Sequence, residues 1–194
     1  MNKGRLEAFS DGVLAIIITI MVLELKVPHS SELSSLVPLL PIFFCYLISF
    51  IYIGIYWNNH HHLMHSIRKV DGVILWANLH LLFWLSLVPF TTAWMGENHF
   101  PVGPVALYGF NLMMSGIAYY ILTRALLRVE GPESALARAV KCDNKGKISV
   151  VLYAIAIGAA FFQSWISYLI YVGVAGMWLI PDRRIEKILF SEEK

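Results

Sequence analysis

Two stretches of this chain set ionisable and polar side chains against apolar sequence. RLEAFSDG (residues 5–12) brings Arg5, Glu7, Ser10 and Asp11 to the head of a run, 13–25, whose only polar members are Thr19 and Glu24. YWNNHHHLMH (56–65) carries Trp57, Asn58, Asn59, His60, His61, His62 and His65, and Asn78 and His80 follow inside a further apolar run. Three kinds of chemistry are open to such residues. An Asp11–His set could carry protons, as a secondary transporter or proton pathway would. His61 and His65, at i and i+4, are the one pair here with proper metal-ligand spacing, whereas three consecutive histidines on a helix point in three directions. The simplest use is mutual: a polar group in lipid needs a partner or water. Arg5, Ser10 and Asp11 lie level with Trp57, His61, Asn78 and His80, so they are expected to form one buried network.

These residues need membrane helices to position them. Of 194 residues 58% are hydrophobic and only 14% charged, against about 25% charged in soluble domains, and the mean hydropathy is +0.64. The composition predicts an all-α integral membrane protein. A net charge of +2 is too small to suggest a nucleic-acid partner. Cys45 and Cys142 form no motif, so neither a disulfide framework nor a zinc site is expected. A membrane helix needs roughly 20 apolar residues, and six spans are predicted at about 7–27, 36–66, 70–95, 102–128, 147–163 and 165–181. The last two are a tight hairpin broken at FFQSWIS, because one helix of that length would overshoot the bilayer. Residues 1–194 then read as a single six-span domain without an internal repeat or a soluble domain.

Charge orients the spans. The side holding both termini carries Lys3, Arg5, Arg68, Lys69, Arg124, Arg128 and Arg138, then Lys141, Lys145, Lys147, Arg183, Arg184, Lys187 and Lys194; only Lys26 falls on the other. An excess of Lys and Arg marks the cytoplasmic side, so both termini are expected in the cytoplasm. At ~100° per residue, Ile16, Ile20 and Leu23 share one stripe of the first helix with Thr19 at its edge. Ser10 and Asp11 point elsewhere. The two residues could also cap a helix beginning at Gly12, although Leu6, Ala8 and Phe9 favour an earlier start. Glu24 lies beside the stripe, either as part of an acidic mouth or paired with Lys26. Gly116, Gly158, Gly173 and Gly176 read as close-packing positions.

Arg5, Phe9, Ser10 and Asp11 make an R-x-x-x-F-S-D motif that resembles the signature of the transmembrane protein 175 family, the lysosomal potassium channels and their prokaryotic relatives. YWNNHHHLMH and NLHLLFWLSLVPFTTAWMGE resemble the same family. The layout agrees over all six spans, and the match is most specific in residues 5–25 and 56–97. One six-span unit implies a prokaryotic member, since the animal proteins carry two.

The resemblance implies a potassium-permeable cation channel of the prokaryotic plasma membrane, a homotetramer with its pore lined by the first helix of each subunit. It implies a constriction of apolar side chains, here Ile16, Ile20 and Leu23, in place of a carbonyl filter. Thr19 corresponds to a residue that meets the ion. Arg5, Phe9, Ser10 and Asp11 then lock the pore helix against the second and third spans. Potassium, rubidium and caesium are the implied permeant ions, with no cofactor. A transporter would couple and saturate, and a histidine-based membrane enzyme would pass no ions; neither has a supporting repeat or nucleophile–base motif in the sequence.

Overall fold

The computed structural model describes residues 3–67, 69–140 and 144–179. Arg68, Lys141, Cys142, Arg183, Arg184, Lys187 and Lys194 lie outside them. The first helix, α1, spans Lys3–Val22. It therefore begins well before Gly12, and Ser10 is an interior residue rather than a cap. It also ends at Val22, short of the residue 27 expected. Beyond Val22 the chain tightens into i→i+3 bonds, Leu23 to Ile20, Glu24 to Met21 and Leu25 to Val22, at 3.0–3.3 Å. Leu23 and Glu24 thus sit in a turn, and an α-helical wheel no longer describes them.

A 3₁₀ helix, Leu33–Leu39, contains Pro38 and leads into α2, Leu40–His65, with Pro41 in its first turn. Proline is tolerated there because the first N–H groups of a helix lack an intrahelical partner. The two together make a 33-residue apolar segment.

The third expected span is divided. Helix α3 runs Gly72–Ser86 and α4 runs Val88–Glu97, with Pro89 in the first turn of α4. At the joint the Leu87 N–H bonds the Trp84 carbonyl at 3.2 Å, closing a tighter turn. Asn111, 2% exposed on the neighbouring α5, spans the gap. Its amide donates to the Trp84 carbonyl at 2.9 Å and accepts from the Val88 N–H at 3.3 Å, in the orientation that pairs both of its groups. A helix break away from water is stable only when such groups are paired again.

Helix α5 spans Val102–Glu130 and ends on Gly131, whose φ of 89° closes it with a bond to Leu127. A short α6, Ala135–Val140, precedes α7, Asn144–Ala160, and α8, Ser164–Leu179. The break at FFQSWIS is present, and the Ser167 hydroxyl donates across the hairpin to the Ala156 carbonyl at 2.6 Å. Leu33–His65, Gly72–Glu97 and Val102–Glu130 are long and apolar enough to cross a membrane.

The core has two parts. Leu14, Ile17 and Met21 of α1 join Ile53, Met64, Leu81 and Leu122, while Tyr52, Tyr108, Tyr153 and Tyr171 anchor a second cluster where α7 and α8 meet α2 and α5. Close glycine packing occurs at different positions from those expected. A Cβ on Gly158, Gly173 or Gly176 would meet nothing within 4 Å, and on Gly116 only ordinary contacts at 3.8 Å. At Gly109 it would collide with the Tyr171 hydroxyl, and at Gly96 it would lie 2.9 Å from the Ile42 backbone.

Candidate functional site

Helix α1 presents two different faces. Leu6, Ser10, Leu14, Ile17 and Met21 recur at helical spacing and are buried against α2, α3 and α4. The opposite face is apolar yet uncovered: Phe9 is 53% exposed, Ile16 57% and Ile20 43%, and Leu23, in the turn after the helix, 74%. In a membrane chain, exposed apolar surface of this kind meets lipid or another protein surface. Thr19 lies on it, its hydroxyl donating back to the carbonyls of Ala15 and Ile16 at 3.0 and 2.9 Å. That bond uses the proton and leaves acceptor capacity on the oxygen. A groove of about 620 Å³ runs beside this face, lined by Ile16, Ile20 and Glu24 on one side and Phe90, Trp94 and Glu97 on the other.

A buried hydrogen-bond chain fixes which face turns inward. Ser10 Oγ donates to the Leu6 carbonyl at 2.9 Å, Asn78 Nδ2 donates to Ser10 Oγ at 2.9 Å, and His60 Nε2 meets Asn78 Oδ1 at 2.8 Å. Since the Asn78 amide nitrogen is committed to Ser10, its oxygen must accept, which puts a proton on His60 Nε2. Ser10, Asn78 and His60 are at most 2% exposed, so α1, α2 and α3 are tied together through this buried chain.

Several expected members of this network stand elsewhere. The histidine that reaches Asn78 is His60; His61 is exposed, with its ring beside those of Trp57 and His65. His80 accepts from Trp84 Nε1 at 2.9 Å along its own helix and does not reach α1. Asp11 is exposed and accepts from Trp57 Nε1 at 3.1 Å, separately from the buried chain. Phe9 lies on the uncovered face, and Arg5 is exposed, outside the bonded chain. Lys3 secures the first turn instead, donating to the His65 carbonyl at 3.2 Å. Among the described residues no group of three or more His, Cys, Asp or Glu could hold a metal ion.

At the far end of α1, Lys26 donates to Glu97 Oε1 at 2.8 Å, which raises the lysine's pKa through that bond and the charge behind it. Lys26 is thus committed to α4 rather than to Glu24. At the other end, Asp71 caps α3 by accepting from the Ile74 N–H at 2.9 Å and pairs with Arg128 of α5. The Ile74 bond first, and then the Arg128 charge, hold its carboxyl below the usual range.

The chain has relatives among known proteins. Residues 5–89 match the family model described as endosomal/lysosomal potassium channel TMEM175. A potassium channel of Chryseobacterium sp. (strain P1-3) is 59% identical over 189 residues, covering 97% of this chain and 98% of that relative. This chain belongs to the TMEM175 family. A potassium channel of Chamaesiphon minutus is 42% identical over 181 residues, covering 86% of this chain and 88% of its own length. The crystal structure of a lysosomal potassium-selective channel TMEM175 homologue from the same organism superimposes with a TM-score of 0.81 at 29% identity, covering 92% of this chain and 96% of that one. The TMEM175 match spans α1 to the start of α4, and so contains both the exposed stripe and the Ser10–Asn78–His60 chain. The protein is accordingly an all-helical, multi-pass membrane protein of a channel family, and not an enzyme.

Asn111 escaped the sequence reading although its signal was present: a lone amide in one apolar run, opposite a proline in another. Ser49, bonded to Thr92 at 2.7 Å and Tyr108 at 2.9 Å, likewise gave no sign of its partners.

Proposed function

We propose that this protein is a potassium-permeable cation channel of the cell membrane, a homotetramer in which four copies of α1 surround the ion path. The observation that carries this reading is the division of α1: one face is locked by buried hydrogen bonds while Ile16, Thr19, Ile20 and Leu23 stand uncovered in the single chain. Four such faces meeting on an axis would bury each other's apolar side chains. The potassium channels of Chryseobacterium and Chamaesiphon among its relatives support the choice of ion.

In this reading the six spans form one domain, 1–194, made of α1, α2 with its 3₁₀ lead, the α3–α4 pair, α5, α7 and α8, with both termini cytoplasmic. Ile16, Ile20 and Leu23 form successive constrictions, Ile16 nearest the cytoplasm, and Thr19 offers its oxygen to the ion between them. An apolar ring supplies no oxygens to replace a hydration shell, so a passing ion keeps part of its water or loses it at a cost. Larger, weakly hydrated cations shed water more readily, which favours potassium, rubidium and caesium over sodium by a modest margin. A narrow apolar ring also closes by dewetting. Glu24 and Glu97, beyond Ile20, would line the outer mouth and concentrate cations.

A proton route through Asp11 and the histidines is not favoured. The buried chain has an amide, Asn78, at its centre and ends on a backbone carbonyl, and Asp11 is not part of it. Purified protein in liposomes tests the proposal: potassium should leave down its gradient without a counter-substrate and without saturating. Flux that requires a coupled ion would identify a transporter instead.

A further inference from the structure

A cavity of about 1240 Å³ opens between α2, α5 and α7, apart from the α1 face. Ordinary small-ligand sites hold roughly 300–1,000 Å³. Its walls reach from Tyr52 to Asn59 on α2 and from Gly116 to Arg128 on α5, so at ~1.5 Å per residue the α5 wall is ~20 Å long. The inner part is apolar and aromatic, bounded by Tyr52, Ile55, Ile117, Val150 and Tyr153. Partway along, the Tyr56 hydroxyl borders the cavity and has no hydrogen-bond partner among the described residues. The mouth carries Arg124 and Lys147, both exposed and without an acidic partner among the described residues. Arg128 beside them is held by Asp71, and Glu133 is the carboxylate at the rim.

We propose that this cavity binds one anionic phospholipid from the adjoining leaflet. The order of chemistry along the wall follows that of the lipid. The phosphate diester sits between Arg124 and Lys147, the ester oxygens lie within reach of the Tyr56 hydroxyl, and an acyl chain enters the apolar depth between α2 and α5. A free phosphate would satisfy the cations but leave the apolar depth empty, and a zwitterionic lipid would bring a cation to a basic mouth.

Native mass spectrometry of the full-length protein in detergent, titrated with phosphatidylglycerol, phosphatidylcholine or inorganic phosphate, tests this without reading ion flux, so it is independent of whether the protein conducts. Phosphatidylglycerol should bind in preference to phosphatidylcholine, and inorganic phosphate should not compete with it at equal concentration. A nearby Lys or Arg is worth about a fivefold change in affinity for an anionic lipid, so Arg124→Gln with Lys147→Gln should weaken phosphatidylglycerol about 25-fold, and Lys147→Gln alone about fivefold. Gly116→Leu keeps the charges but narrows the apolar depth beside Tyr56 and Val150; its Cβ meets only 3.8 Å contacts, so the fold should survive and phosphatidylglycerol binding should weaken. Equal binding of the two lipids, competition by phosphate, or undiminished phosphatidylglycerol binding in the charge variants or Gly116→Leu would overturn the proposal.

Discussion

His60, Asn78 and Ser10 illustrate how unequal the polar residues near α1 are. Asn78 holds two bonds in the buried chain and Ser10 can keep its bond to Leu6 without it. Asn78→Leu strands the His60 N–H in the interior, which costs roughly 1–3 kcal/mol. It should therefore lower the thermal midpoint and oligomer yield more than Asp11→Ala, which removes an exposed bond to Trp57, and neither should alter ion preference; differential scanning in detergent and size-exclusion chromatography check this. Asp71 gives a pH signature. Its pKa is depressed in the folded protein, so its contribution is present above the unfolded value of about 3.9 and is lost as pH falls through the folded value. The stability difference between wild type and Asp71→Asn should hold at neutral pH and vanish in strong acid. At this scale the sequence showed which stretches would pair but not which atoms. Successive histidines are rotated by ~100° from one another, and the packing of Ile53, Leu63 and Met64 decides that His60, not His61, faces α3.

Helix α1 was legible as an element because its inward residues, from Leu6 to Met21, repeat at helical spacing and its outward stripe is uniformly apolar. The α3–α4 break was harder to read, since hydropathy runs without interruption across Pro89 and only the Trp84 and Val88 backbone groups register the fault. Asn111 mends it from α5. Asn111→Leu should cost about 1–3 kcal/mol. Pro89→Ala restores the missing N–H and with it the option of a continuous helix, so the double variant should lose less than the sum of the two single losses; a double-mutant cycle of thermal midpoints reads that coupling. Full additivity would mean that Asn111 supports α5 alone. The α7–α8 hairpin was readable from length, because its helices of 17 and 16 residues replace one that no bilayer would accommodate.

Across the whole molecule, the hydrogen bonds and the core hold α1 from one side only, and the ion path proposed here lies on the other. Assembly was not legible in any one residue, because the wheel gives the same stripe whether it faces lipid, another chain or an ion. The lock on the opposite face and the family relationship together make a shared axis the better reading. The consequence is specific to Ile16, which stands 57% exposed in the single chain and touches none of the locking residues through a hydrogen bond. In the proposed assembly, replacing it with Asn would hydrate the ring without disturbing Ser10, Asn78 or His60. The most direct test is the ratio of potassium to sodium flux in liposomes, wild type against Ile16→Asn, at matched protein content. The ratio should fall toward one while total flux rises several-fold. An unchanged ratio and flux would mean that Ile16 faces lipid and that the ions pass elsewhere.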